Sequence, residues 1–313
     1  MLVDALFLVF GIALLYFGGE ALVDGASKLA RRLGMSTLVI GLTIVAFGTS
    51  APELAATMTA TLSGAPELGL GNVVGSNIAN IGLILGVSAL LLPLATTTRF
   101  ILRELPFMIG CSALMVPLVY DDLIGRGEGI AMCALLLAYL GFMYQTGREA
   151  PDDDDDDDAG SLGKSLLWVV GGSLLLVGGA QALVYGGVGI ARDIGVSERV
   201  IGLTMVAVGT SLPELASSLA AARKGESDMV LGNVVGSNIF NVLCILGVTS
   251  SVRPMVVNGA EAQIDLWAML ALTVAVPLLL WKGRRMGRAE GIGLLVFWGI
   301  WVGSLVLRLP ATG

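Results

Sequence analysis

Histidine is absent from this 313-residue chain, which excludes histidine-based proton relays, His-containing zinc sites and Ser-His-Asp catalysis. Cysteine is nearly absent too. Cys111, Cys133 and Cys244 lie in apolar segments with no pairing pattern, so neither a disulfide framework nor a cysteine metal site is expected. Charged residues are few, 14% of the chain, and nothing in their placement suggests a nucleic-acid partner. The apolar runs contain no paired aspartates and no nucleophile beside a base, which argues against an intramembrane enzyme. No cleaved signal peptide is expected, because the chain enters a long apolar segment within four residues, without a basic n-region or an Ala-x-Ala-like site.

What fills the chain instead is hydrocarbon. Apolar residues make up 55% and the mean hydropathy is +0.86, values of a polytopic membrane protein whose solvent is the lipid bilayer. Apolar runs of about 17 to 25 residues read as spans. They fall near 2–29, 36–62, 67–93, 100–119, 127–146, 163–191, 197–222, 227–251, 264–281 and 290–309. Ten spans put both termini on one side. The loops near 28–35, 94–103, 147–164, 223–226 and 282–288 hold 13 of the 18 Lys and Arg residues; the opposite set has Arg126, Arg192, Arg199, Arg253 and Arg308. By the positive-inside rule the first set is cytoplasmic, giving a multi-pass protein of the cell membrane with both termini external.

Aligned on itself at an offset of 161, the chain matches residues 39–87 with 200–248 at about 30 of 49 positions without a gap. The match extends weakly back through Gly34/Gly195, Ala30/Ala191 and Leu22/Leu183, so the repeat unit is a five-span half: residues 1–146 and 163–313, joined by an acidic linker at 147–162. An odd number of spans per half makes equivalent segments cross in opposite directions. The expected fold is therefore an all-α integral membrane protein with ten transmembrane helices in two inverted five-helix repeats. In many secondary transporters such repeats enclose a site at the midplane.

Each repeat carries two polar blocks. Gly48-Thr49-Ser50-Ala51-Pro52-Glu53-Leu54-Ala55 recurs as Gly209-Thr210-Ser211-Leu212-Pro213-Glu214-Leu215-Ala216, in the middle of an apolar run. Proline has no N–H for the carbonyl four residues back and its ring pushes against that carbonyl, so Pro52 releases Gly48 and Pro213 releases Gly209. Bare backbone at such depth survives where it faces protein or lines a cavity. Thr, Ser, Glu and freed carbonyls together form an oxygen cluster suited to a hard cation such as sodium or calcium, and the two copies read as halves of one cation site. The second block, Gly71-Asn72-Val73-Val74-Gly75-Ser76-Asn77-Ile78-Ala79-Asn80, recurs as Gly232-Asn233-Val234-Val235-Gly236-Ser237-Asn238-Ile239-Phe240-Asn241. Its glycines and polar residues are expected to interrupt the third and eighth spans, so that helices 2, 3, 7 and 8 are all broken around one point.

These paired blocks resemble the alpha repeats of the sodium/calcium exchangers of the cation/calcium exchanger superfamily, prokaryotic type, and the resemblance covers essentially all ten spans. It implies an antiporter in which helices two, three, seven and eight enclose the ions while helices one and six slide across them. It implies Glu53 and Glu214 as central calcium ligands, with backbone carbonyls near Ala46 and Ala207. Thr49, Thr210, Ser50, Ser211, Ser76 and Ser237 would add sodium sites, and Asn80 and Asn241 would complete the polar ring. Potassium-dependent relatives, and some archaeal ones, have an aspartate at the position of Asn241, so asparagine points to a potassium-independent exchanger. The proton/calcium branch typically reads G-N-x-x-E where this chain has Gly48 to Glu53, which argues for sodium over protons.

Competing readings stand beside these. An ionisable group near mid-membrane costs on the order of 3 kcal/mol, so Glu53 and Glu214 read as a site and not as packing. Ser50 and Ser211 are either ligands or caps of the half-helices that begin at Pro52 and Pro213. Asn72, Asn233, Asn77 and Asn238 read as structural. Glu20 and Asp24, which face Gln181 and Tyr185 in the repeat alignment and so carry charge in one half alone, have at best an entry-path or external-mouth role. The seven acids Asp152 to Asp158 read as a solvated segment suited to a salt-rich cytoplasm, with calcium sensing as the alternative. A proton/calcium or other divalent-cation antiporter is the nearest alternative function. A channel filter is usually a ring from several subunits, whereas one inverted repeat supplies a closed site, so a functional monomer with no cofactor is expected.

Overall fold

The computed structural model describes residues 1–147, 161–194, 207–281 and 283–308. Most of the acidic linker, including Asp152 to Asp158, and the start of the span expected at 197–222 lie outside the described residues. The first half runs α1 (Leu2–Leu33), α2 (Thr37–Thr49), α3 (Ala51–Leu62), α4 (Pro66–Leu91), α5 (Phe100–Tyr120) and α6 (Arg126–Thr146). The second runs α7 (Leu162–Asp193), α8 (Ala207–Thr210), α9 (Leu212–Arg223), α10 (Ser227–Val252), α11 (Gly259–Trp281) and α12 (Arg288–Arg308). Seven of these, α1, α4, α5, α6, α7, α10 and α11, are each long and apolar enough to cross a membrane, and the bent pair α2 and α3 makes an eighth. The other two expected spans correspond to α8 with α9 and to α12. The protein is thus a helical, multi-pass membrane protein.

Local chemistry sets the ends and breaks. Gly34, at φ 59°, closes α1 in a left-handed turn whose N–H donates to the carbonyls of Ala30 and Arg31, a conformation that glycine adopts without steric cost. Ser36 caps α2 by accepting from the N–H of Val39 at 3.3 Å. At Ser50 the chain leaves helical geometry and α3 departs from α2 at 45°, two residues before Pro52, as the missing proline donor requires.

The second polar block behaves differently from expectation. Gly71 to Ala79 and Gly232 to Phe240 lie within unbroken α-helix, so α4 and α10 are not broken helices. The glycines of α10 serve close packing: a Cβ on Gly232 would stand 2.6 Å from the carbonyl oxygen of Leu38, and one on Gly236 would stand 2.6 Å from that of Leu42, whereas one on Gly71 would meet nothing within 4 Å. The departure comes one turn later, as π-helical turns at Asn80–Leu85 and Asn241–Leu246. Such bulges rotate the following residues without exposing free backbone.

Helix α10 is the centre of the molecule. An 18-residue stretch of it is 100% buried, against 22% for α1. Helices α1 and α7 instead lie antiparallel along one another on the outside. Gly18 meets the backbone of Leu176 and Gly172, and Gly179 meets that of Leu15 and Gly11, at distances that leave no space for a side chain. Small residues at this seam let the backbones touch, which is the main packing device between membrane helices.

Two short antiparallel ladders tie connections together at the ends. β1 (Leu94–Ala95) pairs with β4 (Arg285–Met286), and β2 (Leu123–Ile124) pairs with β3 (Met255–Val256). Ser36 N–H also donates to Gly147 O, and Arg284 reaches Thr98 at 3.0 Å. These bonds join connections within the set richer in Lys and Arg, whereas β2 with β3 joins connections of the opposite set.

Candidate cation site

Glu53 and Glu214 occupy the first turns of α3 and α9, each directly after its proline, and each is 1% exposed. A helix N-terminus is a favourable place for an anionic side chain because its first N–H groups and the aligned peptide dipoles point there. Ser50 and Ser211 sit at the N-cap positions but make no side-chain cap bond. They reach across the molecule instead. Ser50 Oγ donates to Glu214 Oε1 at 3.1 Å, and Ser211 Oγ lies 3.3 Å from Glu53 Oε1 and 3.2 Å from Ser76 Oγ. The cap bond is thus not observed at either serine.

The threonines follow the same crossing. Thr49 Oγ1 has Asn233 Oδ1 at 3.3 Å and Ala46 O at 3.3 Å, and Thr210 Oγ1 donates to Asn72 Oδ1 at 3.2 Å. The Ala46 carbonyl also accepts from Ser50 N at 3.0 Å, so it is engaged within its own helix. Ala207 opens the short helix α8. Asn72 Nδ2 donates to the carbonyl of Glu53 and to Thr57 Oγ1. Asn233 Nδ2 does the same to the carbonyl of Glu214 and to Ser217 and Ser218. Asn80 Nδ2 donates to Asn238 Oδ1 at 3.0 Å, and Asn241 Nδ2 to Asn77 Oδ1 at 2.9 Å.

Three of these pairs have their counterpart at an offset of 161: Ser50–Glu214 with Ser211–Glu53, Thr49–Asn233 with Thr210–Asn72, Asn80–Asn238 with Asn241–Asn77. The sequence blocks that recur twice are therefore bonded to each other, block against opposite block. The four asparagines read as structural, Asn72, Asn77, Asn233 and Asn238, all contact site residues. Their recurrence at fixed places in both blocks was the only sequence signal for it.

Five oxygens on the expected ligands have no protein partner although they are buried: Glu53 Oε2, Glu214 Oε2, Asn80 Oδ1, Asn241 Oδ1 and Ser237 Oγ. Buried polar atoms are normally paired, so a cluster of acceptors left open asks for a ligand with positive charge. Among the described residues no group of three or more His, Cys, Asp or Glu side chains could hold a metal ion. The donor set is two carboxylates with neutral hydroxyl and amide oxygens, which suits hard cations and not soft or transition metals.

Two other acidic groups fall outside this cluster. Glu20 and Asp24 both form ion pairs with Lys224, at 2.9 and 2.6 Å. Lys224 thus ties α9 to the half of α1 that also carries Lys28, Arg31 and Arg32. Glu104, 1% exposed, accepts from Arg103 and from Tyr139 at 3.3 Å. It was not foreseen from the sequence and is satisfied within its own half.

Membrane-crossing helices wrapped around a buried oxygen cluster, with both carboxylates reached from the opposite half, define a multi-pass membrane transporter. A family model described as sodium/calcium exchanger protein matches residues 3–145 and 164–307, and the chain belongs to the sodium/calcium exchanger family. CaxA of Alkalimonas amylolytica is 41% identical over 307 residues, covering 95% of this chain and 96% of that protein. The sodium/calcium exchanger MaX1 of Methanosarcina acetivorans is 32% identical, covering 95% of this chain and 96% of that one. Among solved structures, the sodium-calcium exchanger NCX_Mj soaked with sodium and without calcium superimposes with a TM-score of 0.85 at 33% identity, over 97% of this chain and 99% of that one.

Proposed function

We propose that this chain is a secondary active antiporter that exchanges sodium for calcium across the membrane by alternating access, moves net charge in each cycle and needs no potassium. The observation that carries the reading is the pair of buried carboxylates, each hydrogen-bonded on one oxygen by a serine of the opposite half and open on the other. Relatives named as sodium/calcium exchangers, and crystals of NCX_Mj soaked with sodium, calcium or strontium, support it. The doubling of bonds at an offset of 161 supports ten helices in two inverted five-helix halves, 1–146 and 163–313, acting as a monomer. The skew of Lys and Arg supports external termini.

In this reading Glu53 and Glu214 together neutralise one calcium ion, with carbonyls near Ala46 and Ala207 completing its shell. Sodium ions compete for the same carboxylates with help from Thr49, Thr210, Ser50, Ser211, Ser76 and Ser237. Asn80 and Asn241 add oxygens without charge, so no further monovalent ion is required for balance. Calcium entry, sodium exit and the reverse then share one site, and occupancy by one ion excludes the other.

The test is calcium uptake into proteoliposomes loaded with sodium, with potassium present or absent on either side, against vesicles given only a pH gradient. Uptake that requires internal sodium and ignores potassium is expected. Equal uptake on the pH gradient alone would move the protein to the proton/calcium class.

A further inference from the structure

A carboxylate offers oxygen to a cation whichever way it turns, but an amide does not. Rotated by half a turn, an asparagine presents two N–H donors where its oxygen had been, and a cation is then repelled. Asn80 and Asn241 therefore need something that fixes their orientation, and the structure provides it from the opposite half. Asn241 Nδ2 donates to Asn77 Oδ1 at 2.9 Å, Asn80 Nδ2 donates to Asn238 Oδ1 at 3.0 Å, and the oxygens of Asn80 and Asn241 are left without a protein partner. All four side chains are at most 1% exposed, so no bulk water competes for these bonds.

The two holding residues are themselves oriented. Asn77 Nδ2 lies 3.5 Å from Met269 Sδ, and Asn238 Nδ2 lies 3.4 Å from the carbonyl of Asn77 and 3.8 Å from Met108 Sδ. Met108 and Met269 stand at the same offset of 161 as the asparagines. With its N–H groups so placed, each holding amide turns its oxygen to the neighbour. Reversing Asn77 would set its NH2 against the NH2 of Asn241.

Resting on the exchanger reading, we propose that Asn77 and Asn238 are positioning residues that lock the amides of Asn241 and Asn80 with oxygen towards the transported cation. Each lock comes from the other repeat, so ligand orientation depends on α4 and α10 staying in contact. An aspartate in place of a locked asparagine has no N–H to misdirect, and the lock then becomes unnecessary. That asymmetry separates positioning from simple packing.

The experiment is a double-mutant cycle read as apparent KM for calcium and maximal rate in proteoliposomes: Asn77→Ala, Asn241→Asp and the pair, with Asn238→Ala, Asn80→Asp and their pair as the mirrored set. Removing a buried hydrogen-bond partner should raise KM about tenfold or more in Asn77→Ala. In the Asn241→Asp background the same change should cost less than about threefold, a departure from additivity expected of coupled residues. Equal factors in both backgrounds, in both sets, would overturn the proposal. Asn77→Asp is the arm to use where the alanine variant does not insert. It keeps the acceptor and adds negative charge, so its calcium KM should be at or below that of the wild type; a loss as large as that expected for alanine would also overturn the lock. Sodium-driven flux in the wild type tests the exchanger reading, whereas the ratio between backgrounds tests the lock, so the two failures are distinct.

Discussion

Ser50 donates a hydrogen bond to Glu214 across 3.1 Å, joining the break between α2 and α3 to the first turn of α9. Because its counterpart Ser211 holds Glu53, neither carboxylate is positioned by its own half alone. The carboxylates, the threonines and the amides are all set by contact between repeats, so a change of apposition would alter every ligand together.

That arrangement predicts the effect of removing charge without removing shape. Glu53→Gln and Glu214→Gln keep an oxygen that can accept from serine, yet each leaves a divalent ion half compensated in a buried site. Removing one partner of a buried charge pair costs about 3–5 kcal/mol, or a hundredfold and more. Both variants should lose calcium exchange while inserting and purifying as the wild type does. Exchange at near wild-type rate in either would remove that glutamate from the site.

The serines should not be equal. Ser211 reaches both Glu53 and Ser76, whereas Ser50 has Glu214 as its side-chain partner. A hydrogen bond to a charged group contributes about 1.5–3 kcal/mol, so both alanine variants should raise apparent KM for calcium roughly tenfold, with Ser211→Ala the worse. If neither changes KM, these residues serve the helix termini and not the carboxylates.

Adjacent glycines in α7 give a test of packing. A Cβ on Gly172 would meet Leu22 N at 2.5 Å and Gly18 O at 2.9 Å, but one on Gly171 would meet nothing within 4 Å. Overpacking costs about 1–3 kcal/mol, while alanine in open helix gains up to about 1 kcal/mol over glycine. Gly172→Ala should therefore lower the melting temperature in detergent and Gly171→Ala should hold or raise it. The opposite order would mean that α1 and α7 do not meet along this seam.

Much of this was legible in the sequence for one physical reason: polar residues are expensive in hydrocarbon, so a duplicated polar block marks a site. Glu53, Glu214, Ser50 and Ser211 stood out on that ground, and the 45° bend at Ser50 follows from Pro52. Glycine is a weaker witness. In the two asparagine-bearing blocks it suggested broken helices, but glycine also permits close approach, and in the second block the neighbours of Gly232 and Gly236 decide for packing. The cross-bonds of Asn77 and Asn238 depend on two distant segments facing each other, which spacing alone does not reveal. Glu104 was hidden because it follows Arg103 at the start of a span, where charge is ordinarily solvated.

The acidic run gives a prediction outside the described residues. Seven like charges in a short linker repel one another. Replacing Asp152 to Asp158 with a neutral flexible segment should leave calcium flux and its dependence on calcium nearly unchanged. A marked shift in that dependence would make the run regulatory.

The last prediction concerns voltage. In the proposed cycle two ionised glutamates carry two negative charges, which one calcium ion would balance, and the hydroxyl and carbonyl positions would accept more than two sodium ions in its place. If three sodium ions leave a vesicle for each calcium that enters, one net positive charge leaves with every cycle. An interior made positive should then speed calcium uptake and an interior made negative should slow it, since moving one charge through 100 mV is worth about 2.3 kcal/mol. Clamping sodium-loaded proteoliposomes with potassium gradients and an ionophore sets the potential, and the steady calcium ratio should change roughly tenfold for every 60 mV. Two sodium ions per calcium would give no voltage dependence, so an indifferent ratio would exclude the three-for-one cycle while leaving Glu53 and Glu214 as the shared site.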